Sequence, residues 1–552
     1  MNHYKNLIWT NKYGFIFRGI FFLFALIVSS GCSNNKLCIK GDCIDGYGIY
    51  EDPGGLKYNG QWQGGKYNGM GKIDYPGGDI YIGEFYDGKR QGQGTMLYGD
   101  GGEYTGQWKA DLRHGEGEYL SPDGYVYSGN WNHDKIEGYG TIRYSDGSSY
   151  EGSFRDGKRN GSGTLIYPDG EIYSGDFVDD KRHGNGKLLS KDGTEYEGGF
   201  INDVINGMGQ ITYPDGSSYT GQWENGLKSG EGVLIYSDGR KYEGHFEKGL
   251  FHGKGEYTLE NGDFYKGEFN RGDITGRGVM AYKNGDTYDG TFIEGKRYGK
   301  GIFLSPDNER YEGNFIDDQK EGEGEVIYSN GIRYEGRWEK DVKDGYGVMT
   351  FPDGRKYEGY FKDNLFDGPG KYTLPDGSHY SGYFKKNEIN GKGTMIYKDG
   401  RKYTGEWENG KWHGNGTLIW PDDKKYEGHF NRGMISGQGS LTFSDGRIYK
   451  GTLKNGIMHG KGSLMWPDGR QYEGEWENGV YNGNGTYRFP DGREYKGQWE
   501  NGEYNGYGIL TFPDGSVYEG MWKENKMHGK GVLISPEGSR KEGEWSDGRL
   551  LD

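Results

Sequence analysis

From Tyr58-Asn59-Gly60-Gln61-Trp62 onward, a Tyr-x-Gly-x-aromatic pentad returns every 23 residues without an insertion or deletion. Tyr81, Tyr104, Tyr127 and their successors carry it to Tyr518, and Lys541 stands at the last of the 22 anchors. Gly follows each anchor by two places, and Trp or Phe by four, except at Leu453. A Gly-x-Gly pair keeps the same beat from Gly46/Gly48 and Gly69/Gly71 to Gly529/Gly531. A period this strict makes each stretch one supersecondary unit that must bury its apolar face against its neighbours. Units counted from Gly46 end at Leu551, so residues 46–551 are expected to be a 22-unit array.

Each unit reads as a hairpin. In Gly163-Thr164-Leu165-Ile166-Tyr167, alternation puts 163, 165 and 167 on one face, and the column of Leu165 is apolar or aromatic throughout. Pro168-Asp169-Gly170 supplies turn chemistry, with Gly taking positive φ freely. Where that Gly is missing, Asn308 and Asp423 stand instead, the side chains that best tolerate the conformation. The return strand carries Tyr173, Gly175 and Phe177 on one face, and Gly175 leaves a notch for a ring of a neighbouring hairpin. Seven residues after each anchor comes Gly, Asp or Asn, a second left-handed position.

The expected fold is therefore all-β: an elongated, twisted, single-layer antiparallel β-meander of about 22 hairpins of 23 residues. At ~4.8 Å per strand it would run on the order of 200 Å, coiled by sheet twist. Composition agrees, because 109 glycines in 552 residues exceed the ordinary ~7%, while 16% aromatic content excludes a disordered linker. One unit before the first anchor, Ile39 falls at the aromatic position and Asp42 at the left-handed one. Residues 35–39 thus read as a degenerate capping strand. Arg540 and Lys541 would blunt the opposite edge.

Stretches such as Tyr472-Glu473-Gly474-Glu475-Trp476-Glu477-Asn478-Gly479 and Tyr242-Glu243-Gly244-His245-Phe246 resemble the MORN (membrane occupation and recognition nexus) repeat family over Gly46–Leu551. That resemblance implies a sheet of hairpins used for docking, scaffolding and sometimes membrane attachment. Phospholipid binding is a weaker transfer, not uniform in the family.

Residues 1–31 stand apart. Lys5, Lys12 and Arg18 precede the apolar run Gly19–Val28, and no acid occurs before Asp42. The run is too short to span ~30 Å of hydrocarbon and suits a secretory signal. Ser29-Ser30-Gly31-Cys32 makes it resemble a bacterial lipoprotein signal, although Ser29 stands where an apolar residue is usual. The expectation is a signal at 1–31, a lipidated Cys32, and a short tether with the capping strand at 32–45. The protein would then be lipid-anchored in the bacterial cell envelope, at the outer membrane by analogy with lipoproteins having Ser33 there. An ordinary cleaved signal with an incidental cysteine is the alternative. Cys38 and Cys43 either close a small loop by a disulfide or remain free thiols.

A formal charge of −16 excludes nucleic-acid binding along the array. One local exception is basic: Lys89-Arg90, Lys158-Arg159, Lys181-Arg182 and Lys296-Arg297 fall in two columns read as loop, whose C-terminal counterparts include Met434-Ile435 and Val480-Tyr481. These are either solvated loop residues or a docking edge for an anionic partner or lipid. Six histidines, including His114, His183, His252 and His413, precede a Gly-x-Gly and read as loop-closing hydrogen-bonders, too far apart to share a metal. Asp179-Asp180 and Asp317-Asp318 read as loop acids without a fixed partner. Most rings must form the core, but Trp412 lies off the main columns and is a candidate contact for a sugar or an apolar side chain.

No Gly-x-Ser-x-Gly, His-Glu-x-x-His or Walker sequence occurs, and no Cys/His metal pattern, so neither enzyme activity, cofactor nor metal is expected. The function expected is a protein-binding or scaffolding surface for unidentified envelope proteins. A glycan- or phospholipid-headgroup-binding surface is the alternative.

Overall fold

In the computed structural model, which describes residues 37–551, the chain forms 46 strands of antiparallel sheet and no helix. The expected signal at residues 1–31 and Cys32 lie outside the described residues. Contacts divide the chain into one unit up to Lys191 with Phe200–Asp203, and another of Asp192–Gly199 with Val204 onward. Within each unit every strand pairs with those before and after it, from Leu37–Gly41 to Lys181–Leu189 in the first and from Val204–Thr212 to Arg549–Leu550 in the second. Each is an open meander, so strands pair only with their neighbours in sequence.

The unit around Tyr173 shows how the residues dictate the hairpin. Lys158–Ile166 and Ile172–Val178 pair through Gly163↔Gly175 and Leu165↔Tyr173. Five residues join them, closed by Tyr167 N–H donating to Glu171 O and Gly170 N–H to Tyr167 O. Gly170 has φ 97°, and both Asn308 and Asp423 take φ 64° in the same turn column, as their side chains predict. The second connection is a two-residue turn with positive φ at both positions, as in Asp179 (47°) and Asp180 (71°). Only the second of these positions is evident in the residue pattern.

The two glycines of Gly-x-Gly do different things. The first, such as Gly161 with φ 92°, sits at a bulge where two extra residues enter the strand. The second pairs with the pentad glycine, so glycine faces glycine on strand after strand: Gly221↔Gly232↔Gly244↔Gly255↔Gly267. Anchor tyrosines lie flat across this ladder. The ring over Gly175 belongs to Tyr173 of the same strand, not to a neighbouring hairpin, and a β-carbon on Gly175 would stand 2.6 Å from its hydroxyl. Alternation puts Tyr173 and Gly175 on the same face, and the ring folds along its own strand to donate its hydroxyl to Asp176 O at 3.0 Å.

Phe177 packs edge-on against Tyr173 at 5.1 Å and against Tyr150, one repeat back, at 5.0 Å. Where the fourth residue is Trp, its indole also donates to a ladder carbonyl, as Trp108 does to Gly94 O at 3.0 Å. The tyrosine anchors are buried, although the sheet has one layer, and only the last anchor, Lys541, is exposed.

The capping strand exists but departs from the expected register. Leu37–Gly41 pairs with Gly46–Glu51 as Cys38↔Tyr50 and Gly41↔Gly48, three and four residues out of the repeat's register. Ile39 is therefore exposed rather than in the aromatic column, and Gly41 (φ 82°), not Asp42, takes the left-handed conformation. Cys38 and Cys43 are bridged across this loop, with Cα atoms 6.0 Å apart.

Candidate binding groove

The sheet's two faces are chemically unlike. One is sealed by the anchor tyrosines, the Trp/Phe column, and a third column that stacks on the tyrosine rings. That third column contains the predicted arginines, and they and the lysines before them lie in strands, not loops. Lys89, Lys158, Lys181 and Lys296 each open a nine-residue strand, with Arg90, Arg159, Arg182 and Arg297 in second place. The two-residue turns are shorter than the pattern of charges suggested, so the strand starts earlier.

Each of these arginines lies inward as a lid. The Arg90 guanidinium sits 4.2 Å from the Trp108 ring centre, with its Nη2 donating to Asp111 O at 2.7 Å and its Nε to Asp111 Oδ1 at 3.3 Å. Arg159 is held likewise by Asp180, Arg182 by Asp203 and Arg297 by Asp318. Their side chains are only 18–20% exposed. The acid pairs are not free either, since Asp179 meets Lys158 at 3.8 Å and Asp317 meets Lys296 at 3.4 Å. Lys89 and Lys181 remain on the exposed side of this column.

Trp412 belongs to the same lid column. It faces Trp407 across the strands, stacks on Tyr403 at 4.9 Å and 18°, and meets Phe430 edge-on at 5.7 Å. It is half-buried. The histidines also depart from expectation. They sit third in these strands, and the Nδ1 atoms of His114, His183 and His252 are buried without a hydrogen-bond partner. Burial, with Lys109 and His133 nearby, holds the His114 imidazole below its usual range.

The opposite face carries the feature that residue patterns alone left undefined. The ladder positions direct their α-carbon substituents to the aromatic face, so on this side their backbone forms the floor of a groove between two rows of outward side chains. In the second unit one row runs Thr220, Val233, Glu243, Glu256, Lys266, each opposite the next across the strands. The other contains Met208, Glu231, Lys254, Glu268 and Arg277. Between them lies a recess of about 720 Å³ floored by Gly221, Gly232, Gly244, Gly255 and Gly267. Further recesses of about 690 and 740 Å³ lie on the same glycine line, over Gly301–Gly324 and Gly439–Gly474. Both acidic and basic groups stand along the walls, and Lys266 bridges to Glu256 at 2.6 Å.

Among the described residues no three His, Cys, Asp or Glu side chains gather as a metal site. Fold and groove together define an open β-hairpin repeat protein with one sealed and one accessible face.

MORN repeats match 21 segments of the chain, from residues 58–80 to 518–540, and the chain belongs to the MORN repeat family. The cap before Tyr58 and the unit anchored at Lys541 lie beyond the match. No curated protein matches the chain. Among solved structures, the TCP domain of Drosophila melanogaster SAS-4, in complex with a proline-rich motif of Ana2, is 12% identical with a TM-score of 0.21, over 29% of this chain and 88% of that one. The TCP10 domain of Danio rerio CPAP, in complex with a STIL peptide, is 13% identical with a TM-score of 0.14, over 47% and 99%. A streptogramin B lyase is 13% identical with a TM-score of 0.10, over 55% and 94%. Likeness at these scores carries no argument about this chain.

Proposed function

We propose that the protein is a non-catalytic, protein-binding scaffold of the bacterial cell envelope, held to the outer membrane through lipid on Cys32, with the glycine-floored groove as its binding face. The observation that carries the binding reading is the contrast between faces. The aromatic face is closed by its own Tyr, Trp and Arg columns, whereas the opposite face leaves a backbone floor between walls of unlike charge. Repetition extends that face over many strands, so partners can bind through several weak, similar sites whose linkage raises overall affinity. The anchor rests on the residues around Cys32, and more than one acyl chain would hold the chain firmly.

The basic columns support an anionic-headgroup surface less well, because their arginines are engaged with rings and aspartates. Affinity capture from crosslinked envelopes tests the scaffold reading: reproducible protein partners are expected, and their absence contradicts it. Metabolic acyl labelling tests the anchor separately. Label should disappear in Cys32→Ala, and label that persists contradicts the assignment.

A further inference from the structure

On the groove face of the second unit, one stretch of wall differs from the charged rows around it. Across six successive strands, Arg337, Tyr346, Tyr360, Pro369, Tyr383 and Lys392 occupy one outward row, with Tyr346 opposite Tyr360 and Pro369 opposite Tyr383. The tyrosines are 55%, 47% and 56% exposed, and Tyr346 meets Tyr360 edge-on at 5.7 Å. Three half-exposed rings and a proline on adjoining strands form a contiguous patch of the kind that marks a binding site.

The hydrogen-bonding state of these rings sets them apart. Tyr139 and Tyr507 stand in the same column as Tyr346, but their hydroxyls donate to Glu151 and Glu519. Among the described residues no partner takes the hydroxyls of Tyr346, Tyr360 or Tyr383, and neither Arg337 nor Lys392 forms an ion pair. The row therefore offers donors and ring faces, with no carboxylate or amide of its own to accept a proton. Its complement is apolar, rich in acceptors and poor in donors, and acidic at its ends.

We propose that this row docks a proline-rich segment of a partner protein in the polyproline II conformation, flanked by acidic residues that meet Arg337 and Lys392. This rests on the protein-binding reading above and names the partner's chemistry. Proline lacks an N–H, and polyproline II leaves its carbonyls without internal partners, so the tyrosine hydroxyls meet acceptors and no unmatched donors. Spacing agrees as well. Tyr360 and Tyr383 are two strands apart, ~10 Å, while three polyproline II residues advance ~9 Å. From Arg337 to Lys392 is five strand intervals, ~24 Å, the reach of about eight such residues. A preformed extended ligand also loses little entropy on docking to an aromatic row.

The test uses the full-length protein and a labelled synthetic peptide of Pro-Pro-Ala repeats with a glutamate at each end, followed by anisotropy. The peptide should bind. Joint Tyr346→Ala, Tyr360→Ala and Tyr383→Ala should weaken it by about tenfold or more, since exposed tyrosines of this kind act as hot spots. Tyr139→Ala should leave the affinity unchanged, and replacing the peptide's prolines by alanine should weaken binding. Hydrogen exchange on the triple variant checks that the sheet is intact, and a triple Tyr→Phe variant, which keeps the rings, should lose only part of the affinity. Failure of the peptide to bind, equal affinity for the triple variant, or preference for a cello-oligosaccharide overturns the proposal. If wild type and the triple variant capture the same envelope proteins, the scaffold reading stands and this proposal falls. If neither captures any, both fall.

Discussion

The ring of Tyr219 lies across Gly232 of the next strand, so that a β-carbon on that glycine would stand 2.5 Å from both the phenol oxygen and a ring carbon. The ring has nowhere to go, because its hydroxyl donates to Gln222 O at 2.8 Å and its other flank touches Trp223 and Phe246. Gly232→Ala is accordingly expected to destabilise its own and adjoining hairpins by about 1–3 kcal/mol, the usual cost of overpacking. Lys254→Ala, on the groove wall, should stay within ~0.5 kcal/mol. Hydrogen exchange resolved by hairpin is the suitable measure, because a repeat array unfolds locally rather than all at once. A neutral Gly232→Ala would contradict the ladder packing.

Burial pushes the Tyr219 phenol up to about 12, and Tyr173 likewise. The unfolded chain ionises near 10, so the stabilisation linked to these protonated phenols is fully present below pH 10. It is lost as pH rises from 10 through 12, where the unfolded chain binds fewer protons. Tyrosinate absorbance should show exposed tyrosines titrating first and the anchors ionising only with loss of the fold. Ionisation of every tyrosine near pH 10 in an intact sheet would contradict it.

Arg159 and Lys158 are neighbours with unequal work. Arg159 covers Phe177 at 5.3 Å and donates to Asp180 O at 2.8 Å, whereas Lys158 reaches Asp179 only at 3.8 Å in solvent. Arg159→Ala should lower stability by about 1–2 kcal/mol through lost ring cover and hydrogen bonds. Lys158→Ala should have an effect below ~0.5 kcal/mol, as for exposed ion pairs. Thermal and urea unfolding of both variants distinguishes them, and equal effects would mean the arginine is not a lid.

Lys248 holds a left-handed conformation, φ 51°, in a column where Asn225, Asn409 and Asn455 take the same one. Asn tolerates that region better than Lys, whose β-carbon and long side chain give it no local hydrogen bond. Lys248→Asn is expected to stabilise the turn by about 0.5–1 kcal/mol, read as a raised urea midpoint. A lowered midpoint would contradict the turn geometry.

Period, hairpin, turn glycines and buried columns were legible because each is a local consequence of residue type. Asn308 and Asp423 could be placed at positive φ on chemistry alone. The two-residue turn was half visible: its second position is always Gly, Asp or Asn, but its first admits Ala110, Lys248 and Glu294, which carry no signature. That missing position moved Lys158 and Arg159 from strand into loop, and with them the idea of a basic edge. Trp412 was misplaced for a related reason, since only cross-strand register puts it opposite Trp407. The groove was the least legible feature, because cross-strand register decides which outward residues line it. The outward residues of Gly-x-Gly and the third residue after each anchor carry the available signal, and reading those two columns together picks out Tyr346, Tyr360, Pro369 and Tyr383.

The central claim is that partners bind the groove face and not the sealed face. A photo-crosslinking amino acid placed at Lys254 on the groove wall, and separately at Trp412 in the lid column, tests it in intact cells. Discrete protein adducts are predicted from position 254 and none from position 412. Adducts from 412 alone, or from neither position, would contradict the assignment of the groove as the binding face.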